Sequence, residues 1–238
     1  MKELTTLKKI QKRISCIIQA RLTSRRLKNK VLKKIKNKSI LELIYFRVKK
    51  SELLDDIIFV IPSNKKNNKL EIFLKQKKIP YFKGDEENVF KRYLMCAKSL
   101  KTEVIVRITA DCPLIDGYLI DKCLKDFFYS DVDYLSNRGS RYELPDGLDV
   151  EIFKKKLLDI NKRIQLNTSE KEHVTQRILT TKNLKKKFMN FKIKKRIKKK
   201  YSIDTYHTFK TVKNFFYKFK SLNFSYNSII RAMILDEK

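Results

Sequence analysis

The chain has 238 residues, of which 42% are hydrophobic, and it contains 15 Phe and 11 Tyr but only 4 Gly and 4 Pro. This composition excludes a disordered or fibrous protein and predicts a single α/β domain over residues 1–238, with residues 1–13 as a frayed lead-in. The formal net charge is +31, but dispersed lysines carry most of it, which indicates a solvated surface rather than a specific nucleic-acid site and leaves an anionic surface partner open.

We expect neither a targeting signal nor a membrane span. No apolar run approaches the roughly 18 residues of a membrane span, and the charged N-terminal sequence lacks the apolar segment of a secretory signal. The 4 cysteines show no CxxC spacing, and Cys16 and Cys96 lie in apolar patterns typical of small buried residues. We therefore expect a protein of the reducing cytoplasm without structural zinc.

A strand and a basic loop open the chain. The apolar run from Ile14 to Ile18 predicts a buried strand. The loop after Gln19 contains no Gly, so it is neither a P-loop nor a dinucleotide fingerprint. Its cations and hydroxyls can bind a polyphosphate through charge-assisted hydrogen bonds, although a lysine-rich surface loop is the alternative. These side chains are Arg21, Thr23, Ser24, Arg25, Arg26, Lys28 and Lys30.

Helices and strands then alternate along the chain. Ser39 and Glu42 have the spacing of a capping box at the start of the first helix. The alternation predicts a mostly parallel sheet in a three-layer α/β/α arrangement. Ligands of such sheets bind beyond the carboxyl ends of the strands, where the loops after Ile18 and Ile108 lie. We expect helices over residues 40–51, 70–78 and 88–100, and strands over residues 56–61, 79–82 and 104–108.

An acidic residue follows the strand over residues 104–108. Asp111 at this edge of the sheet is a reasonable Mg²⁺ ligand, because Mg²⁺ takes one or two carboxylates together with phosphate oxygens and water. The alternative is that Asp111 caps a turn or the next helix. Two later acids have simpler interpretations, Asp116 as a helix N-cap and Asp121 as a surface acid.

The region over residues 133–149 is predicted to be loop, and a strand follows it. Pro145, Asp146 and Gly147 form a strong turn signal. The next strand is expected over residues 148–153. Asp149 and Glu151 would share one face of that strand, where they either bind sugar hydroxyls or face solvent.

A helix is expected next, over residues 170–180. His173 in its first turn is either a site residue or a surface residue that titrates without consequence. Residues 185–200 alternate apolar and basic side chains, which is typical of a half-exposed strand.

The last candidate acid precedes the C-terminal helices. Asp204 ends a predicted short strand before a helix over residues 208–219, and it is either a functional acid or an N-cap. An amphipathic helix over residues 226–235 packs on the sheet or on a partner subunit, and the second arrangement would give a homodimer.

The order of residues in two loops resembles that of a known family. The runs are QARLTSRRLKNKVL, residues 19–32, and RITADCPL, residues 107–114. They resemble two motifs of the CMP-sugar synthetases, or sugar cytidylyltransferases, and especially the branch known from spore-coat polysaccharide synthesis. That family usually has Pro-Gly where this chain has Lys28 and Asn29, and Asn can adopt the left-handed backbone of a Gly. The resemblance extends over about residues 14–219.

The resemblance implies a Rossmann-like fold of the nucleotide-diphospho-sugar transferase (GT-A-like) type. It also implies that CTP and a small sugar, favoured as a sugar acid, react to a CMP-sugar and pyrophosphate for surface polysaccharide or glycan synthesis. Mg²⁺ would be the cofactor, held by Asp111 and Asp204. The implied nucleotide ligands are Arg21, Ser24, Arg26 and Lys30; the implied catalytic residues are Arg21, Lys30 and Asp111; and the implied substrate ligands are Asp149, Glu151 and His173.

Two other functions fit parts of the sequence. The same sheet with an acid near a metal suits a glycosyltransferase that uses an activated sugar and releases a nucleotide. The high positive charge suits a non-catalytic polyanion-binding protein, whose affinity would fall steeply with salt. For a CTP-dependent enzyme, we expect the loop over residues 84–88 to contact the nucleobase.

Overall fold

The structure of the protein, a computed structural model, describes residues 12–139, 144–160, 166–191, 193 and 197–237. The strands are β1 (Ile14–Gln19), β2 (Lys34–Ile35), β3 (Lys38–Ser39), β4 (Asp56–Pro62), β5 (Tyr81–Gly84), β6 (Val104–Thr109), β7 (Tyr134–Ser136), β8 (Glu151–Lys154) and β9 (Lys186–Phe188). The helices are α1 (Ile40–Val48), α2 (Asn68–Gln76), α3 (Val89–Ser99), α4 (Gly117–Tyr129), α5 (Lys156–Ile160), α6 (Thr168–Glu172), α7 (Gln176–Thr180), α8 (Tyr206–Tyr217) and α9 (Tyr226–Asp236).

Seven of the strands form one mixed sheet in the order β5-β4-β1-β6-β8-β7-β9. The four strands predicted from the first half of the chain, β5, β4, β1 and β6, pair in parallel as expected. β8 is antiparallel to both β6 and β7, and β9 returns parallel to β7. β2 and β3 form a separate hairpin. The predicted mostly parallel sheet is therefore confirmed.

Helices cover both faces of the sheet, and each face has its own apolar cluster. In β1, Cys16 and Ile18 belong to one cluster and Ile17 to the other, and all three side chains are fully buried. A strand buried on both faces needs a nearly continuous apolar run, which is why β1 was recognisable in the sequence. The three-layer arrangement places the carboxyl ends of β1 and β6 side by side.

The predicted start of the first long helix is confirmed in detail. The Ser39 hydroxyl accepts a hydrogen bond from the Glu42 N–H, and the Glu42 carboxylate accepts one from the Ser39 N–H. The last helix, α9, buries Ile229 and Met233 in the larger apolar cluster, so it packs on its own chain. This is the first of the two arrangements that its pattern allowed.

One predicted helix is interrupted. The helix expected over residues 170–180 is two short helices, because α6 ends at Glu172 and α7 begins at Gln176. Between them, His173 has an extended backbone, Val174 is buried, and the Thr175 hydroxyl donates to the Glu151 carboxylate. These contacts hold the joint between the two helices against the sheet. Helical periodicity could not predict the break, because the contact from Thr175 to Glu151 joins residues 24 positions apart.

The strands around the second predicted loop also differ from expectation. β7 lies within residues that the sequence predicted as loop, and β8 begins at Glu151 rather than at residue 148. The Asn137 side chain donates to the Leu148 carbonyl and accepts from the Val150 N–H. A side-chain amide therefore takes hydrogen-bonding groups that a longer strand would use. Of the strand expected over residues 185–200, the described residues form only β9, over Lys186–Phe188. Part of that predicted strand lies outside the described residues.

Asp116 and Asp121 are more deeply embedded than surface acids. Asp116 caps α4 as predicted, accepting from the Leu119 N–H, but it is 2% exposed and lies 3.5 Å from the Arg47 guanidinium. Asp121 is partly buried and accepts from the Ser51 hydroxyl and from the Glu52 N–H. The interpretation of Asp121 as a surface acid is wrong, since it fastens α4 to the loop after α1.

Candidate active site

The basic loop after β1 has a defined shape although it lacks the Pro-Gly of the related motif. The Leu22 N–H donates to the Asn67 side chain, and Leu27 and Val31 are buried. Asn29 has φ 54° and ψ 28°, the left-handed conformation expected from its position. A single 3-10 turn over Lys30–Leu32 follows. These anchors fix the point from which the Lys30 side chain leaves the loop.

A second loop leaves the sheet beside the first. β1 and β6 are in parallel register with Gln19 opposite Thr109, and the Ala110 N–H donates to the Gln19 carbonyl. Asp111 therefore follows its strand at the same edge as Arg21. The Ile203 N–H donates to the Asp111 carbonyl at 2.8 Å, and this bond brings Asp204 to the same place from a distant part of the chain.

Two carboxylates and two cations meet where these three segments converge. The Lys30 Nζ lies 3.0 Å from Asp111 Oδ2 and 3.2 Å from Asp204 Oδ1. The Arg26 guanidinium lies 3.0 Å from the same Asp204 oxygen. Asp204 does not cap the following helix, because Thr205 occupies the N-cap of α8. The described residues 197–203, directly before Asp204, form no strand, in contrast to the sequence prediction.

The environment of Asp111 favours its charged form. Burial acts to raise the pKa of this carboxyl, but the Lys30 ammonium and a hydrogen bond from the Thr109 side chain outweigh it and hold the pKa below its ordinary value. Asp111 is therefore ionised at neutral pH, as a metal or cation ligand must be.

The remaining loop candidates lie at the outer side of the same edge. The Arg21 guanidinium is 3.3 Å from the Glu172 carboxylate, and both side chains are about half exposed, at 46% and 48%. Ser24 is partly buried in the loop between Arg21 and Arg26. Such exposed ion pairs are weak in water, so a phosphate group can replace the Glu172 carboxylate as the partner of Arg21.

The acidic pair fits a magnesium ion that arrives with phosphate. Asp111 and Asp204 already direct one oxygen each at a single cationic atom, the Lys30 Nζ. Among the described residues, no group of three or more His, Cys, Asp and Glu side chains is placed to hold a metal. Two carboxylates are what Mg²⁺ commonly takes from a protein when phosphate oxygens and water complete its octahedron.

Glu151 is engaged inside the protein. It accepts hydrogen bonds from Arg107, from the Tyr134 hydroxyl and from the Thr175 hydroxyl. Burial opposes the charge of this carboxyl, yet Arg107 and the two hydroxyls hold its pKa below the ordinary value. The alternative that Glu151 faces solvent is wrong. Its observed contacts join the sheet to the joint between α6 and α7.

Asp149 and His173 lie at different places from Glu151. Asp149 precedes β8, so it does not share a strand face with Glu151, and its carboxylate is 3.2 Å from the Arg138 guanidinium. His173 is exposed at the C-terminal end of α6, next to the Glu172 that pairs with Arg21. His173 therefore lies near the basic loop, because the preceding residue, Glu172, pairs with Arg21 of that loop.

Sequence reasoning missed several residues that support the site. Three arginines with little exposed side-chain surface are among them. Arg47 and Arg92 donate hydrogen bonds to backbone carbonyls, and Arg107 donates to the Glu151 carboxylate. A usable signal existed for Arg107, which interrupts an otherwise apolar strand and therefore needed a buried anionic partner. No comparable signal marked Arg47 or Arg92, because a cation on a helix can face solvent and the sequence alone does not show that these two are buried.

Asp149 makes a pH-dependent contribution to stability. Burial, with Asp146 and Asp111 nearby, raises its pKa to about 6. The folded state therefore keeps a proton that the unfolded state loses above about pH 4. We expect this contribution to be fully present below pH 4 and lost as the pH rises through 6. Urea unfolding at pH 4.5, 6.0 and 7.5 should show Asp149→Asn gaining stability relative to wild type with increasing pH.

The exposed Asp131 supplies the control for this titration. Asp131→Asn removes a carboxyl whose pKa is lowered by Lys154 and Lys185, so its stability difference from wild type should not rise with pH. If the difference between wild type and Asp149→Asn is constant over the three pH values, Asp149 does not hold a proton in the folded state.

The chain matches the family model described as cytidylyltransferase over residues 15–231. It is 31% identical over 166 residues to the spore coat polysaccharide biosynthesis protein SpsF of Bacillus subtilis (strain 168), a match that covers 67% of each chain. No helix in the described part of the chain has the length and apolar character needed to cross a bilayer.

Solved structures share the fold. A cytidylyltransferase from Leptospira borgpetersenii serovar Hardjo-bovis superposes with a TM-score of 0.88 at 28% identity, covering 95% of this chain and 96% of that one. CMP:2-keto-3-deoxy-manno-octonic acid synthetase complexed with CTP superposes with a TM-score of 0.65 at 11% identity, covering 87% of this chain and 99% of that one. The second likeness shows the fold alone, which is the nucleotide-diphospho-sugar transferase type expected from the sequence.

Proposed function

This chain belongs to the cytidylyltransferase family and is a CTP-dependent nucleotidyltransferase, and from that premise we propose that it makes a CMP-activated sugar from CTP. The favoured acceptor is a sugar acid, and the favoured use of the product is surface polysaccharide or glycan synthesis. Family membership sets aside the alternative of a non-catalytic polyanion-binding protein.

The proposed reaction is a single displacement at phosphorus. A sugar hydroxyl oxygen forms a bond to the α-phosphorus of CTP while the bond from that phosphorus to the bridging oxygen breaks. The hydroxyl proton is lost to solvent, and pyrophosphate leaves with the electron pair of the broken bond. Catalysis of such a step consists largely of positioning and of stabilising charge on the phosphate oxygens.

The convergence of Lys30, Asp111 and Asp204 is the single observation that carries the proposal. Three segments distant in sequence meet here, and they place the Lys30 Nζ 3.0 Å from an Asp111 oxygen and 3.2 Å from an Asp204 oxygen. Arg21, Ser24 and Arg26 line the loop that leads to this point. We assign Arg21, Arg26 and Lys30 to the triphosphate, whose negative charge they would offset as pyrophosphate departs.

Magnesium has a defined place in this proposal. Asp111 and Asp204 would hold the ion, which when bound polarises the phosphate oxygens and offsets their charge. The protein's own contribution is to keep the Asp111 carboxyl ionised and to bring Asp204 beside it through the hydrogen bond from the Ile203 N–H to the Asp111 carbonyl.

The acceptor class rests on the sequence motifs and on the relatives. SpsF is named for spore coat polysaccharide biosynthesis, and the CMP:2-keto-3-deoxy-manno-octonic acid synthetase is named for a sugar acid. In this chain, Asp149 and His173 remain the proposed acceptor ligands. Glu151 is proposed to act on the acceptor site through the segment that Thr175 anchors.

A pyrophosphate-release assay tests the proposal. The purified enzyme is incubated with Mg²⁺, with CTP, UTP, ATP or GTP, and with a panel of sugar acids, neutral sugars and sugar phosphates. We expect pyrophosphate only with CTP, and a CMP-sugar by mass spectrometry with a sugar acid. Release of CMP or another nucleotide from an activated sugar, without pyrophosphate, would instead identify a glycosyltransferase.

The loop over residues 84–88 is the proposed contact for the nucleobase, and Arg92 holds it. The Arg92 guanidinium donates to the Asp85 carbonyl at 2.6 Å and 2.8 Å and to the Glu86 carbonyl at 2.9 Å. Gly84 gives the room for this arrangement, because a Cβ there would lie 2.7 Å from the Arg92 Cγ. Arg92 would act on the nucleobase through the backbone of this loop, which makes it a positioning residue.

We expect Arg92→Lys to raise the KM for CTP by about 10-fold while kcat changes little, because one or two loop hydrogen bonds of roughly 1 kcal/mol each are lost. Discrimination against UTP should fall as well. Lys98→Met removes an exposed charge from the same helix and should leave both constants unchanged. An unaltered KM and nucleotide preference in Arg92→Lys would remove this loop from the nucleotide site.

A further inference from the structure

The Lys30 ammonium is fully committed within the protein. Its three hydrogens match three acceptors, namely the Ile203 carbonyl at 2.8 Å, Asp111 Oδ2 at 3.0 Å and Asp204 Oδ1 at 3.2 Å. An ammonium has three donors and no more. The side chain is 12% exposed. In this arrangement Lys30 has no donor left for a phosphate oxygen.

The ammonium occupies the place that the acidic pair offers to a metal. Asp111 and Asp204 each direct an oxygen at Nζ, as they would at a divalent ion bound between them. A divalent cation on the same two oxygens would lie within a few ångströms of a positive charge, and at partly buried positions that repulsion is poorly screened. Lys30 and the metal therefore compete for one position.

The other two cations assigned to the triphosphate are paired in the same manner. Arg26 lies 3.0 Å from Asp204, and Arg21 lies 3.3 Å from Glu172. Each of the three cations assigned to the triphosphate is thus held by a carboxylate when no nucleotide is bound. A triphosphate can release all three by accepting their hydrogen bonds, and this would expose the acidic pair at the moment when phosphate oxygens become available to complete a metal site.

We propose that Lys30 acts as an internal substitute for the metal, excluding divalent ions from Asp111 and Asp204 until a nucleoside triphosphate draws the ammonium away. This rests on the proposed function in taking Asp111 and Asp204 as the metal ligands. The exchange keeps the acidic pair neutralised in both states and makes metal and nucleotide bind together. By linkage, each increases the affinity of the enzyme for the other by the same factor.

Direct binding of Mn²⁺ without nucleotide tests the substitution. Free Mn²⁺ is measured by its electron paramagnetic resonance signal while the enzyme is titrated at pH 8. Wild type should bind Mn²⁺ weakly, and Lys30→Met should bind one equivalent at least about 10-fold more tightly, because the competing charge is gone. Lys98→Met, which removes an exposed lysine outside the loop, should match wild type.

Two further variants keep the test decisive. Lys30→Gln retains amide donors for the carboxylates but carries no charge, so it should fold even if Lys30→Met does not, and it should show the same gain in Mn²⁺ affinity. Adding Asp111→Asn to either variant should abolish the gain. Unchanged or weaker Mn²⁺ binding by folded Lys30→Gln would overturn the substitution.

The proposed function and this inference fail separately. The titration contains neither CTP nor sugar, so an absence of CMP-sugar formation in the pyrophosphate assay leaves the Mn²⁺ result standing. Conversely, turnover with CTP together with an unaltered Mn²⁺ affinity in the Lys30 variants would retain the enzyme and remove the role of Lys30 as a substitute for the metal.

Discussion

Asp111→Asn is expected to lower the rate of CTP-dependent pyrophosphate release by about 10³-fold, the scale found when one preorganised electrostatic contact to a transition state is removed. The amide keeps the size of the carboxyl but not its charge, so Mg²⁺ loses one of its two proposed protein ligands. Initial rates over a range of Mg²⁺ concentrations provide the measurement. The defect should persist at saturating CTP, since the lost interaction concerns the reacting phosphate.

A surface aspartate gives the matched control for that substitution. Asp131→Asn removes the same charge from a side chain that is 78% exposed and pairs only loosely, at 3.5 Å, with Lys154 and Lys185. Its rate should equal that of wild type. Circular dichroism and thermal melting of Asp111→Asn establish that the fold is retained. A folded Asp111→Asn enzyme with more than a tenth of the wild-type rate would show that Asp111 does not serve the reaction.

Arg47→Met is expected to lower the free energy of unfolding by about 3–5 kcal/mol, the usual cost of removing one partner from a buried ionic network. The Arg47 guanidinium donates to the carbonyls of Leu114, Ile115, Leu222 and Phe224 at 2.9–3.1 Å. It also lies 3.5 Å from Asp116 and 4.1 Å from the centre of the Phe224 ring. Its removal leaves four carbonyls and a buried carboxylate without this partner.

The expected loss corresponds to a fall in melting temperature of about 10 °C for a chain of this size. Urea unfolding at pH 7 gives the free energy, and scanning calorimetry gives the melting temperature. Lys49→Met, an exposed change immediately after the same helix, should alter stability by less than about 0.5 kcal/mol. If Arg47→Met has the same melting temperature as Lys49→Met, the Arg47 hydrogen bonds contribute far less to stability than their burial indicates.

Arg47 also connects stability to the candidate site. Leu114 and Ile115 belong to the loop that begins at Asp111, and Leu222 and Phe224 belong to the segment between α8 and α9. One buried guanidinium therefore fastens the Asp111 loop to the C-terminal helices. The same interactions lower the freedom of the loop whose carboxylate lies 3.0 Å from the Lys30 Nζ.

The elements that the sequence predicted correctly are those whose signal is local. β1, β4 and β6 are covered by helices on both faces, so each has a mostly apolar run that could be read without knowledge of its neighbours, although Ser15 and Arg107 interrupt β1 and β6. The capping box at Ser39 joins residues three apart, and the left-handed Asn29 reflects an intrinsic tolerance of its side chain. The phosphate and metal chemistry that the cations and acids at the strand ends indicate stays a prediction.

The corrections all concern contacts between residues far apart in the chain. The break after Glu172 depends on a hydrogen bond from Thr175 to Glu151, and the late start of β8 depends on the side chain of Asn137. Neither partner is marked by periodicity, because a single polar contact does not repeat along an element. Glu151 itself was indistinguishable from a solvent-facing acid until its three donors were in place.

The sequence by itself determined the alternation of strands and helices, the basic loop after β1 and the types of side chain at the strand ends. Only the tertiary structure decided that Lys30 lies between Asp111 and Asp204, because these two acids are 81 and 174 positions away from Lys30 in the sequence. The apolar residues that become buried can be recognised from the sequence, because each is marked by its own side chain. The partner of a charge is fixed only when the sheet register brings distant loops to one edge.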